Sequence, residues 1–464
     1  MNYNKPIYIL LISACFQFSC KKYLDIDPPK SSLVQETVFR SDDQATSSIT
    51  GIYATMANSG YASGNSSSIT CLSGLSSDEL VGYNTDNLKF YENQIAPESS
   101  MLQSLYSGSY QSIYAANAVL EGLAGPNNGV TPPVKAQLTG EALFIRAFAY
   151  FYLVNLFGSI PLQLTTDYRV TQIASQKPVA QIYEQIILDL KAAELVISDS
   201  YITPGRVRPN KSTVQAMLAR TYLYMQDWEN AEKYSSLVIA KTNTYSLVNI
   251  DAIFLANSQE AIWQLNPAPN ANSRDGNLFI LTSTPLFVSL RNTFALTAFE
   301  PNDKRQTSWV KSYTNNTGTY YFPYKYKVQS STIVTEYSMV LRLAEQYLIR
   351  AEARINQGKI DLGISDLNLI RNRARPIPTS ITPNPLPGLI TTLNKAEALS
   401  AVEQERKVEL FSEWGHRWFD LKRTGRTGSV LSQIKSQWQS TDELYPIPSL
   451  ELNRNSNIIQ NQGY

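Results

Sequence analysis

The chain has 464 residues, 43% apolar and 17% charged, and its 40 Lys and Arg nearly cancel 39 Asp and Glu. Such a length supports a sizeable core, in about three units or one large composite fold. A formal net charge of +1 gives no field that would gather polyanions, which argues against nucleic acid as a partner.

The first residues, "MNYNKPIYILLISACFQFSCKKYLDIDPPK", place one lysine before an apolar run from Ile7 to Phe18, then small residues, cysteine and charge. This pattern predicts an export signal over residues 1–19. The run is shorter than the roughly 20 residues a membrane span needs. Cys15 and Cys20 compete as the lipid-attachment site, and Cys20 is favoured because it leaves the longer apolar core. A diacylated cysteine would anchor a soluble domain without a spanning helix. With Cys20 lipidated only Cys71 remains in the mature chain, so no intramolecular disulfide is expected.

Ser41 with Gln44 predicts a helix start, followed by Ala45, Ile49, Ile52 and Met56 at helical spacing. A Ser/Gly-rich loop leads into "LSSDELVGYNTDNLKFYENQ", which mixes rings with amides and acids, shows no period and is read as loop. Helices are predicted from about Met101 to Leu123 and across "KAQLTGEALFIRAFAYFYLVNLF", with Phe144, Phe148, Phe151 and Val154 on one face and Gly158 and Pro161 as the stop. Two further helices, "VAQIYEQIILDLKAAELVI" and "KSTVQAMLARTYLYMQ", precede "DWENAEKYSSLVIAK".

An internal repeat emerges here. Counting from Ala219, Gln226 stands at +7, Trp228 at +9, Ala231 at +12 and Leu237 at +18. Counting from Ala351, Gly358, Ile360, Gly363 and Leu369 hold the same offsets. Small residues at the first and +12 positions allow two helices to approach, as in tetratricopeptide hairpins.

Between the hairpins, from about Thr242 to Ser338, the helical period is lost. "EAIWQLNP" reads as a short strand, "STPLFVSLRNTF" as a short helix, and "NNTGTYYFPYKYKVQSS" alternates like a strand. A proline-rich loop, Pro376 to Pro387, precedes a helix start at Asn394 with Glu397.

That helix runs into "QERKVELFSEWGHRWFDLKR", which carries the chain's one histidine, His416. Glu405, Arg406 and Glu409 fall at spacings where opposite charges support a helix by a few tenths of a kcal/mol, roughly, per pair. Phe411, Trp414, Trp418 and Leu421 would share a core face if the helical phase continued through Gly415. No nucleophile or metal-ligand spacing accompanies His416, so a catalytic role is not expected. Adjacent Asp78 and Glu79 do not present acids across a cleft, and "LNPAPNANSRDGN" has too few carboxylates for a calcium loop of the EF-hand type. Neither an enzyme nor a bound cofactor or metal is expected.

Several motifs, in order, resemble the SusD/RagB family of outer-membrane nutrient-binding lipoproteins: "CKKYLDIDPP", "SDE" at Ser77 to Glu79, "GEALFIRAFAYFYLVNLFGSIPL", "MVLRLAEQYLIRAEA", "ERKVELFSEWGHRWFDLKRTG" and the terminal "LYPIPSLELNRNSNIIQNQGY". The resemblance implies an all-α-dominated fold, in which tetratricopeptide-like hairpins form an α-superhelical scaffold carrying an irregular elaboration of loops and short strands that binds ligand. It implies an N-terminal region over 20–240 and a C-terminal region over 241–464 within one composite unit, tethered at the cell surface. It also implies a SusC-like TonB-dependent β-barrel transporter as partner, and an oligosaccharide or peptide captured without being transformed.

The family's ligand site is not a shared motif. Its character, rings flanked by amides and acids on loops, suits the apolar faces and hydroxyls of sugars. It directs attention to Tyr83, Asn84, Asp86, Phe90 and Tyr91 in the first loop, with Asn272, Arg274, Asp275, Trp309, Tyr313 and Tyr320 in the insertion. Tyr324 and Tyr326 are set aside because their alternation suggests a strand. Two other readings stand beside this one: a helical-repeat assembly scaffold of the outer membrane, and a secreted glycoside hydrolase using carboxylates.

Overall fold

A computed structural model of the chain describes residues 38–126, 128–267 and 271–464. The export signal and the candidate lipid-attachment residues, Cys15 and Cys20, lie outside the described residues.

The first half is helical. Helix α1 (Asp42–Asn58) starts where Ser41 Oγ accepts the Gln44 N–H at 3.4 Å, and it buries Ala45, Ile49, Ile52 and Met56. Next come α2 (Ile69–Ser76), strand β1 (Leu80–Gly82) and α3 (Thr85–Tyr91). The stretch read as aperiodic loop therefore holds a short strand and a two-turn helix, the latter begun by Asn84 Oδ1 accepting the Asn87 N–H at 2.8 Å.

The long helices α4 (Ser100–Ala124) and α5 (Pro132–Phe157) follow. Two prolines open the first turn of α5, and Gly158, at φ +73°, closes it. Phe144, Phe148, Phe151 and Val154 are buried as expected, but theirs is not the only buried face of α5. Its C-terminal half is buried all round because α4, α1 and α7 (Val179–Val196) pack against it from different sides. Between α5 and α7 lie the two-residue strands β2 (Ile160–Pro161) and β3 (Gln176–Lys177), paired antiparallel around the short α6 (Tyr168–Thr171).

The repeat is real geometry. Helices α8 (Lys211–Tyr224) and α9 (Trp228–Ile239) form one hairpin, and α13 (Leu343–Asn356) and α14 (Ile360–Ala374) the other. Both turns pass through the left-handed region at the +7 position, Gln226 at φ +59° and Gly358 at φ +82°. A Cβ on Gly363 would lie 2.8 Å from the Ala351 carbonyl oxygen, so the two small positions are where the helix backbones meet. Though distant in sequence, the hairpins are neighbours in space, α9 lying directly on α13.

The intervening excursion leaves through β4 (Ala261–Leu265) and returns through β8 (Ser338–Arg342), which pair antiparallel. It contains α10 (Arg274–Phe279), β5 (Val288–Leu290), α11 (Asn292–Thr297), α12 (Lys304–Trp309), β6 (Val310–Asn315) and β7 (Gly318–Pro323). "STPLFVSLRNTF", read as a helix, is a strand in its middle and a helix only from Asn292. Strands β1, β5, β7 and β6 make a four-stranded antiparallel sheet in that order.

The C-terminal α15 (Lys395–Glu409) begins with the expected Asn394–Glu397 capping box. It stops at Glu409 instead of running on. Ser412, Trp414 and Gly415 have φ of +52°, +49° and +72°, and a new helix, α16 (His416–Arg423), starts in another direction. Phe411, Trp414, Trp418 and Leu421 are buried as expected, but from a broken chain and not from one helix face.

Candidate ligand-binding site

The four-stranded sheet carries rings from both halves of the chain. Tyr83 follows β1 directly, and its N–H donates to the Phe287 carbonyl at 3.0 Å, which extends the β1–β5 ladder by one residue. In the β6–β7 hairpin Tyr313 stands directly opposite Tyr320, so the two side chains share a face. The Tyr320 ring meets Tyr83 edge to face at 5.9 Å. The hairpin is stiffened by Asn315, whose Oδ1 accepts from Thr317 N–H at 2.9 Å and whose Nδ2 donates to Thr284 Oγ1 at 2.8 Å. The Tyr83 and Ser289 hydroxyls hydrogen-bond at 2.8 Å.

Tyr83 remains 40% exposed, Phe287 45% and Leu286 71%, a concentration of accessible apolar surface. Tyr91, half-buried on α3, lies near enough to influence Tyr83. Partial burial raises the Tyr83 pKa, the Ser289 hydroxyl opposes it, and the Tyr320 and Tyr91 rings add to it. At neutral pH the phenol keeps its proton and offers both a donor and a flat apolar face.

Of the residues singled out from sequence, Tyr83, Tyr91, Tyr313 and Tyr320 come together. Asn84 spends its carbonyl oxygen on the α3 cap, and Asp86 is exposed one turn away. Arg274 is exposed at the start of α10.

The remaining four are corrected to structural roles. Phe90 is fully buried, edge on to Tyr445 at 5.6 Å. Trp309 is fully buried too, its Nε1 donating to the Ile250 carbonyl at 3.1 Å and its ring 4.8 Å beneath the Lys325 ammonium. Asn272 clamps the returning loop: its Oδ1 accepts from Thr335 and Glu336 N–H at 2.8 and 3.0 Å, and its Nδ2 donates to the Ile333 carbonyl at 2.8 Å. Asp275 is buried against the Ser273 and Ser338 hydroxyls, and burial raises its pKa. Amides and acids satisfy buried backbone as readily as ligands, which is why residue type alone misplaced these. Tyr326, set aside as part of a strand, lies beyond the end of β7 at Pro323. It is buried, its hydroxyl accepting from Met339 N–H. Phe287 was missed because its segment read as a helix; period two, Phe287 then Ser289, was the available signal.

His416 is buried, and burial, with Arg220 and Arg406 nearby, holds its pKa well below the usual value, so it is neutral. Its Nε2 lies 4.0 Å from Glu345. Among the described residues no group of three or more His, Cys, Asp or Glu is placed to hold a metal.

Two family models match. One, described as starch-binding and associating with the outer membrane, covers residues 22–223; the other, described as the SusD family, covers residues 297–464. The chain belongs to the SusD/RagB family. A SusD-like protein of Formosa agariphila is 26% identical over 94% of this chain and 95% of its own. Among solved structures, a SusD superfamily protein from Bacteroides vulgatus superposes with a TM-score of 0.78 at 21% identity, over 91% of this chain and 99% of that one. A laminarin-binding SusD-like protein gives 0.74 at 23% identity, over 92% and 100%. In this SusD/RagB member the helical hairpins are the scaffold, and the sheet with its exposed rings is the elaboration mounted on it.

Proposed function

We propose that this protein is a surface-exposed outer-membrane lipoprotein, anchored through Cys20, that captures glycans and delivers them to a SusC-like TonB-dependent transporter without transforming them. The observation that supports binding is the ring platform of Tyr83 and Phe287, both exposed, with the half-buried Tyr313 and Tyr320. Rings pair with the C–H faces of sugars, and phenol hydroxyls reach their oxygens. Glycan recognition is also in keeping with the family's description and with what the laminarin-binding neighbour is named for. The lipid anchor is inferred from the N-terminal apolar run and Cys20, and delivery to a transporter from family membership.

Titration of the purified chain with neutral oligosaccharides, β-glucan fragments among them, and with peptides tests the reading. Saturable oligosaccharide binding is expected, weakened about ten-fold or more in Tyr83→Ala and Tyr320→Ala, the scale of one lost ring contact. Binding of peptides alone, or wild-type affinity in both variants, would overturn the glycan platform. Co-purification with a β-barrel partner from native membranes tests delivery.

A further inference from the structure

The β1–β5 ladder has two ends. Tyr83 and Phe287 close the platform end; at the other, Arg291 N–H donates to the Glu79 carbonyl at 2.8 Å. Arg291 lies four positions along the chain from Phe287, about 13 Å at the usual rise of a strand. Beyond Arg291 opens a cavity of about 380 Å³ that no residue of the platform lines. Its walls come from α11, from Lys407 on α15, and from Arg426 and the stretch following it.

Cations exceed anions here. Asp78 is held at both oxygens by Arg417, at 2.7 and 2.9 Å, with the Lys407 ammonium 3.6 Å away. Glu403 is shared between Arg417, at 3.1 Å, and Arg426. The third acid nearby, Glu79, has its pKa pushed up to about 8 by burial, so it brings little charge at pH 7. On the cavity wall itself Arg291, Lys407 and Arg426 stand against one acid, Asp78, and Arg417 and Glu403 behind it are paired with each other. The Arg291 guanidinium has no ion-pair or hydrogen-bond partner among the described residues. A cation without a counter-ion on a cavity wall is a ready oxyanion site.

The rest of the lining suits a polar ring more than a bare ion. The Thr293 hydroxyl and the Gln433 amide make no side-chain hydrogen bond among the described residues, and Phe294, buried 5.6 Å beneath the Lys407 ammonium, backs the cavity. We propose that this cavity binds an acidic sugar unit, with its carboxylate or sulfate group on Arg291 and Arg426 and its hydroxyls on Thr293 and Gln433. The proposal deepens the glycan reading and rests on it for the sugar ring, whereas the charge excess stands independently of it.

The test is calorimetric titration of the full chain with D-glucuronic acid, glucose 6-sulfate, glucose and sodium sulfate, at low and high salt. At least one acidic sugar is expected to bind saturably, more weakly in high salt, with glucose much weaker. Arg291→Gln and Arg426→Gln, checked by thermal melting to be folded, should each weaken it about ten-fold or more. Binding of glucuronic acid alone assigns a carboxylate, and binding of the sulfated sugar alone a sulfate; both support the site. Failure of both acids to bind, glucose binding as tightly as they do, sodium sulfate matching them, or folded variants with unchanged affinity would overturn it. Tyr83→Ala separates the readings: weakened neutral oligosaccharide binding with acidic-sugar binding unchanged supports a second site, and acidic-sugar binding lost along with it would overturn one.

Discussion

At the residue scale, the stretch that looked most like chemistry is packing and charge balance. His416 is neutral and buried, so His416→Ala should leave ligand affinity unchanged in a still-folded variant, as read by titration. Trp418, with no exposed surface, should cost about 3–5 kcal/mol on substitution by Ala, measured by denaturant unfolding. Its neighbours Glu405 and Glu409 were legible as acids on a helix, yet not in what they do. Sequence spacing suggested pairs along the helix surface, each worth only a few tenths of a kcal/mol, roughly. Instead Glu409 is buried and accepts from Arg342 at 2.6 Å, from Arg305 at 2.9 Å and from Arg373. Burial alone would raise its pKa, but these three guanidinium groups overcome that and hold it well below the usual carboxylate range. Periodicity reports which face a residue is on; it cannot report a partner from another segment.

Glu79 gives the opposite pH signature. Its folded pKa, raised to about 8 by burial, exceeds its unfolded value near 4.5. The contribution it makes to stability is full below pH 4.5 and is lost as pH rises towards 8. Glu79→Gln should therefore flatten the decline in stability between these values, where one uncompensated proton gives a slope of about 1.4 kcal/mol per pH unit. Urea unfolding at a series of pH values measures it; an unchanged slope would refute the assignment.

At the scale of elements, the long helices are legible in the sequence and the short helices and strands are not. The long helices begin and end close to their capping and breaker residues, because those signals are local. β5, only three residues long, was folded into a helix prediction, since so short a strand offers barely one period of alternation. The repeat offsets, in contrast, marked a three-dimensional contact. Gly363→Ala would push a methyl to 2.5 Å from Ile355 Cγ1. The expected cost is about 1–3 kcal/mol, seen as a lower midpoint in denaturant, whereas the same change at Gly428, with nothing near it, should cost far less. The candidate site was legible in part for the same reason. Tyr83, Tyr91, Tyr313 and Tyr320 reveal themselves by type and by an irregular setting, but only the strand register brings them together.

At the scale of the whole molecule, the buried charges join what the sequence keeps apart. Arg417 ties the C-terminal α16 to Asp78 beside β1, at 2.7 and 2.9 Å. Arg342 of β8 reaches Glu260, Glu409 and Glu413. Removing one partner leaves the others buried and uncompensated, so Arg342→Met should cost about 3–5 kcal/mol by denaturant unfolding. A loss under 1 kcal/mol, roughly the worth of an exposed pair, would show that the network relaxes around the gap.

The excursion between β4 and β8 has the anatomy of an interchangeable cassette: it leaves and re-enters through paired strands, and the two hairpins stack on each other behind it. Yet it contributes Arg305 and Lys325, which neutralise Glu405, Glu409 and Glu413 in the scaffold. Whatever sequence drifts or is grafted into that cassette inherits an obligation to return two cations to the same place. Its outer sheet can diversify in sequence only while its inner surface continues to supply countercharge to the helices beneath.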